Sequence, residues 1–266
     1  MDFFLVTDIV VLVLQVLAIT LNVITLFALY RIKKESISTR LVMYLTVTDF
    51  IHALLVSFYT LYLLVKWNPV RINMDPYIVM ISAMPLTFQL KVNLILTIAI
   101  ALDRVLALYV PVQYRMISSL KFVAVALVLA TVFGICDLII EFLLSPIVPK
   151  IDCAAVGCFV SPQFRSYWGT SNMILGLCII VLTAFVLVKL HHMRVRARRS
   201  RTTNTSESSK LAQANRSSTS FLLSSLVCLT VPSVIVGGAE LFGFSLFEYI
   251  GPFYLVGLLC ASEFCN

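Results

Sequence analysis

Charge is scarce in this chain. Of its 266 residues only 12% are Asp, Glu, Lys or Arg, half the ~25% of an ordinary soluble domain. By contrast 60% are hydrophobic, and the mean hydropathy is +1.00. That balance excludes a soluble globular domain. Histidine is short as well. His52, His191 and His192 are all there are, too scattered to bring the roughly three ligands of a hydrolytic zinc site to one depth. No glycine-rich loop offers a phosphate cradle. Lysine stops at Lys210, so no later helix can carry a retinal Schiff base. These absences argue against an enzyme, and no catalytic residue, metal or cofactor is expected. The start of the chain has Asp2 but neither a basic stretch nor a small-residue cleavage site, so its first apolar block reads as a retained helix.

What is present is apolar length. A bilayer is crossed by ~20 residues of helix, and seven blocks are long enough: 4–30, 41–65, 76–102, 122–145, 169–190, 220–242 and 247–265. The last is the shortest and begins around Glu248 and Gly251-Pro252. The expected fold is an all-α membrane protein, a seven-helix bundle forming one domain over 1–266, with the lipid bilayer as its constant partner. Lys and Arg give the orientation. Fifteen fall in the loops between blocks one and two (Arg31 to Arg40), three and four (Arg104 to Lys121) and five and six (Lys189 to Arg216). The alternate loops carry four, Lys66, Arg71, Lys150 and Arg165. Positive loops stay in the cytoplasm, which places the N-terminus outside and the C-terminus inside. The net charge of +7 is then a topology signal and implies no nucleic-acid partner.

The loop at about 191–217 passes from HHMRVRARRSR into TTNTSESS, with too little apolar surface to fold alone. It reads as a basic topology anchor that attracts anionic lipid, with a docking and phosphorylation surface as the sharper alternative, since Ser200, Thr202, Thr203, Ser206 and Ser208 lie among arginines. Of seven cysteines, Cys153 and Cys158 fall in the second outer loop, where the environment oxidises thiols. A bridge between them would close a small loop around 154–157; free thiols are the alternative.

Ionisable groups inside a membrane cost about 2.5–3.5 kcal/mol each at a helix centre. Asp49 lies about 13 Å into the second helix at 1.5 Å per residue, and Asn22 sits in the first. A polar contact between these two helices would pack the bundle. Lys91 lies about 18 Å from the Asp103 end of the third helix, with Asp49, Asp137 and Glu240 as candidate partners. It serves either as half of a buried ion pair or as a ligand-facing group. Asp137 and Glu141, four apart, share one face of helix four; Gln89 and Asn93 share another face of helix three. Pro85 and Pro232 should kink helices three and six.

The segment ALDRVLALYVPVQY, 101–114, closes the third block with an adjacent acid and base, Asp103 and Arg104. At a membrane face an arginine held by its neighbouring aspartate can change partners, which makes it a candidate switch. The segment resembles the Asp-Arg-Tyr motif and following loop of rhodopsin-like G-protein-coupled receptors, with Val105 where Tyr is usual. In that comparison Asn22 and Asp49 (in LTVTD) are placed like the family's helix-one asparagine and sodium-site aspartate. Pro232 in CLTVP is placed like the helix-six hinge, without its tryptophan. No cysteine is available for the bridge from helix three to the second outer loop.

The chain as a whole is closer to the nematode serpentine chemoreceptors, class BC (Srbc). The residues that carry this are ISTR (37–40), ALDRVLALYVPVQY, CAAVGCFVSPQFRSYW (153–168), KLAQANR (210–216) and EYIGPFY (248–254). The resemblance implies a plasma-membrane receptor of sensory neurons that binds a small environmental chemical in an outer cavity and activates a heterotrimeric G protein. Asp103 and Arg104 would be the switch, and Tyr109, Pro111, Val112 and Tyr114 would shape the loop against the G protein. The chain lacks Asn-Pro-x-x-Tyr in helix seven and ends almost at once after Cys265, which keeps a non-signalling truncated receptor as an alternative. A small-molecule transporter or channel is the other, although paired repeats are missing.

Overall fold

The computed structural model describes residues 2–32, 37–68, 72–151, 153, 155–199 and 222–243. Six helices in this set are long and apolar enough to cross a membrane: α1 (Asp2–Ile32), α2 (Ile37–Lys66), α3 (Pro76–Tyr109), α4 (Ser119–Leu144), α5 (Pro162–Arg199) and α6 (Leu222–Leu241). The expected seventh helix, 247–265, lies outside the described residues. Two elements run longer than the apolar blocks suggest: α3 continues past its block to Tyr109, and α5 extends at both ends. Helix α5 starts at Pro162, where Ser161 Oγ accepts from Phe164 N at 3.1 Å, and runs on to Arg199. The basic stretch 191–199 is therefore a continuation of α5 beyond its apolar block. Residues 200–217 of that loop lie outside the described residues.

The outer surface of the bundle is apolar, and the polar side chains of its spans turn inward among the packed core. On α1 the buried positions are Asp8, Val11, Gln15, Ala18 and Asn22, a seam with spacings of three and four. Its outer face carries Ile9, Val13, Val16, Val23 and Phe27, each about half exposed or more. In water that face would be a liability; in hydrocarbon it is the solvated surface, and the three polar residues must find partners within the protein. Gln15 does so across the seam, its Nε2 donating to Thr60 Oγ1 of α2 at 2.9 Å.

Helix α3 is the central element. In its most apolar window 56% of residues are buried, against 22% in α1. Asp75 caps its start by accepting from Tyr77 N at 2.9 Å, and Pro76 occupies the first turn, where a missing N–H costs nothing. Small residues let the neighbours close in. Gly134 of α4 abuts the Phe88 ring of α3, and a Cβ there would lie 2.7 Å from Phe88 Cδ2. Gly237 of α6 faces the Gly169 carbonyl of α5, and a Cβ there would lie 2.7 Å from Met173 Cβ.

Two apolar clusters fill the ends of the bundle. One gathers Leu63, Met74, Val79, Val156, Phe164 and Trp168. The other gathers Leu41, Leu45, Ile100, Val123, Val186 and Leu222 at the Arg104 end.

Candidate functional site

At the end of α3, Asp103 is fully buried and Arg104 is 9% exposed. Arg104 donates from Nε at 3.0 Å and from Nη2 at 2.6 Å, both to Asp103 Oδ2. The other carboxylate oxygen is also taken: Tyr114 Oη donates to Oδ1 at 2.8 Å. Local backbone brings Tyr114 there. Val110 leaves helical geometry (φ −131°, ψ 60°), and Pro111 starts a single turn, Pro111–Tyr114, that folds back beneath α3. Burial, and then the Asp103 carboxylate, push the Tyr114 hydroxyl up to about 12, so it stays a proton donor. Tyr109 points elsewhere. Its Oη donates to the Phe185 carbonyl of α5 at 3.2 Å, and Lys189 Nζ lies 4.8 Å from its ring centroid. Pro111 and Val112 are exposed, Val112 at 79%.

Asp49 is held by α3. Its Oδ1 accepts from Gln89 Nε2 at 2.7 Å and Asn93 Nδ2 at 3.1 Å, both from α3, and Gln89 Nε2 also lies 3.1 Å from Thr48 Oγ1. Gln15 and Thr60 join α1 to α2, and Asp49 joins α2 to α3. Asn22 lies buried in the α1 seam.

Lys91, with no exposed surface, reaches Asp137 Oδ2 of α4 at 3.1 Å and donates to Ser171 Oγ of α5 at 2.8 Å. Asp137 Oδ1 accepts from Tyr167 Oη at 3.0 Å. Of the three carboxylates considered for Lys91, Asp137 is the one it meets. Asp49 is engaged by α3, and Glu240 packs against Gly169. Glu141, one turn from Asp137 on the same inward face, is 1% exposed and bonds Thr87, while its Oε2 has no partner. Asn172, beside Ser171, is fully buried with neither amide atom partnered. Three helices therefore converge on one polar locus in the middle of the bundle.

Pro232 lies in α6 directly after a π-helical stretch, Leu226–Thr230, where Val231 N bonds the Leu226 carbonyl five residues back. Proline removes the next donor, so the wide turn and the missing bond coincide. Cys153 and Cys158 are joined by a disulfide. The loop they close is docked into the bundle: Val156 N donates to Tyr59 Oη at 3.0 Å, Ser161 N to Ser145 Oγ at 3.0 Å, and Arg165 to the Gly157 carbonyl at 2.9 Å. Among the described residues no group of His, Cys, Asp or Glu could hold a metal ion.

Reading the sequence missed Asp8, Gln15, Tyr167, Ser171 and Asn172. The seven-residue repeat of polar residues at 8, 15 and 22 was the available signal for the first two. A tyrosine, serine and asparagine at an apolar helix start carry none.

The family model described as "Serpentine type 7TM GPCR chemoreceptor Srbc" matches residues 1–261. No curated protein matches the chain significantly.

Proposed function

We propose, since the chain belongs to the Srbc family of serpentine seven-transmembrane chemoreceptors, that it binds a small environmental chemical and signals through a heterotrimeric G protein at the plasma membrane of sensory cells. The observation that carries this reading is the closed cluster of Asp103, Arg104 and Tyr114. An arginine paired, among the described residues, with its neighbouring aspartate, and with a loop tyrosine holding that aspartate in place, can exchange this arrangement for another that a ligand favours. In this reading the Arg104 end faces the cytoplasm and the Cys153 end faces outward. Arg104 leaves Asp103 as the inner end of α6 swings about Pro232, and the freed guanidinium helps form the G-protein cleft. Exposed Pro111 and Val112 supply the apolar contact, while Tyr109 keeps the loop in register with α5.

The ligand locus is the region around Lys91, Asp137, Ser171 and Asn172. The buried polar atoms of Glu141 and Asn172 that lack partners are costly unless something polar meets them. An occupant supplying those bonds would favour the state that holds it.

The test is calcium or cyclic-nucleotide signalling in cells expressing the chain, challenged with a panel of volatile and water-soluble chemicals, beside Arg104→Ala. An N-terminal tag labelled on intact cells reports surface delivery. A response present in the wild type and lost in the mutant at equal surface density supports the reading. A response that survives Arg104→Ala overturns the role given to the arginine.

A further inference from the structure

A plain proline kink needs no π-helical turn, yet α6 has one at Leu226–Thr230, immediately before Pro232. The bond from Val231 N to the carbonyl five residues back encloses one residue more than an α-turn does. Helix α5 makes room for it at Gly176, where a Cβ would lie 3.1 Å from Val234 Cγ2 and 3.3 Å from Thr230 Cγ2. Thr230, fully buried, donates from Oγ1 to the Ser225 carbonyl at 3.3 Å, also five back. Elsewhere in the chain such a hydroxyl bonds four back, Thr20 to Val16 and Thr46 to Val42. The Thr230 hydroxyl can therefore serve either register. Pro232 has no N–H that must be paired again. The wide turn can close to α geometry at little cost in hydrogen bonds.

Closing it turns one end of α6 against the other. The outer half is held to α5 by backbone contact, Gly237 on the Gly169 carbonyl, so the inner half is the part that moves. With α spacing in the turn, each residue before it is carried about 100° round and about 1.5 Å along the axis. Leu223, now 41% exposed, then takes the place of fully buried Leu222, and Ser225 takes that of Ser224. The sequence here is FLLSSL, with leucine and serine each doubled. The core position that Leu222 fills beside Val186 and Leu190 of α5 is thus refilled by another leucine. A slip of one residue exchanges like for like at both doubled positions.

We propose that α6 switches by a π-to-α slip of one residue, in which Leu223 replaces Leu222 against α5, rather than by bending at Pro232 alone. This rests on the reading of α6 as the moving element of the receptor and gives that movement its mechanism. Packed cores pass between discrete arrangements rather than deforming continuously, and the doubled residues supply two such arrangements. The slip also explains the place of the wide turn: it stores the extra residue directly beside the proline, where a change of register breaks the fewest bonds.

The test uses the full chain in phospholipid nanodiscs with neither ligand nor G protein. Cysteines other than Cys153 and Cys158 are replaced by alanine, and a protease site is placed within 200–217. Oxidative cross-linking of Val186→Cys to Leu222→Cys, and in a second protein to Leu223→Cys, is read on a gel as two halves that stay joined after cleavage. Both pairs are expected to cross-link, the first faster, because oxidation traps the slipped register whenever it is visited. Deleting Val227, 65% exposed on the outer face, takes the extra residue out of the wide turn and leaves the inner half facing as before. The first pair should then be unaffected and the second lost. Deleting Cys228 in place of Val227 must do the same, which guards against a fault of folding in either variant. A Leu223 pair that never cross-links, one that survives both deletions, or a Leu222 pair lost in both monodisperse deletions would each overturn the slip. In the signalling assay, a response that persists after either deletion at equal surface density also overturns the slip and leaves the receptor reading intact. The expected cross-links in a chain that fails to signal support the slip and count against the receptor reading alone.

Discussion

Lys91 can remain in the bundle with no exposed surface because Asp137, Ser171 and Tyr167 form a connected set around it. Removing the lysine alone leaves Asp137 as an uncompensated buried charge, at a cost of about 3–5 kcal/mol. Lys91→Met should therefore lower both the melting temperature in detergent and the surface-labelled fraction. Lys91→Met combined with Asp137→Leu should recover most of both, because two apolar groups replace a pair. A double mutant no better than the single one would show that Lys91 does more than neutralise Asp137. Tyr114 invites a different change. Tyr114→Phe deletes the bond to Asp103 without altering packing, and a hydrogen bond to a charged group is worth about 1.5–3 kcal/mol. Ligand-independent signalling should rise several-fold at unchanged surface density. The raised Tyr114 value means that its contribution is complete below the ordinary tyrosine range and fades only as pH climbs toward about 12. Basal signalling should thus be flat with pH wherever cells survive.

Between α5 and α6 the contact is backbone against backbone. Gly237→Ala forces a methyl group onto the Gly169 carbonyl and Met173, neither of which is the free end of a flexible chain, and overpacking of this kind costs about 1–3 kcal/mol. Gly238→Ala, one residue on, meets nothing within 4 Å. The pair should separate clearly in a thermal-stability assay, with only the first destabilised. At this scale the sequence was an uneven guide. Apolar length located the six described spans to within a few residues, except where α3 runs on to Tyr109 and α5 runs past its apolar block at both ends. Buried charges deep in the spans were identifiable because hydrocarbon tolerates so few, whereas Asp8, near the start of α1, was missed. Partner choice was not identifiable: that Asp49 meets Gln89 and Asn93 of α3 depends on how α2 is rotated, and one sequence does not encode that rotation in its composition. The π turn before Pro232 has no sequence signature, whereas the proline does. Tyr114 stood out as a motif residue, but its hydroxyl reaches Asp103 only because Val110 departs from helical geometry.

The whole chain carries its positive charge at alternate loops, and that asymmetry can be tested directly. A glycan acceptor introduced ahead of Leu5 should be modified in microsomes. The existing Asn204-Thr205-Ser206 and Asn215-Arg216-Ser217 sequences should not be, as judged by the gel shift on deglycosylation. The opposite pattern would invert the molecule and move Arg104 to the wrong side for a G protein. The disulfide has a consequence of another kind. It closes on itself within one loop and ties that loop to no helix. What anchors the loop is the set of hydrogen bonds from Val156, Ser161 and Arg165. Mechanically the loop is a clasped cassette resting on the bundle, and tension on it is not passed covalently to α3. Such a cassette can be lengthened, shortened or exchanged without re-threading the helices beneath it, which leaves this end of the bundle free to vary while the frame stays the same.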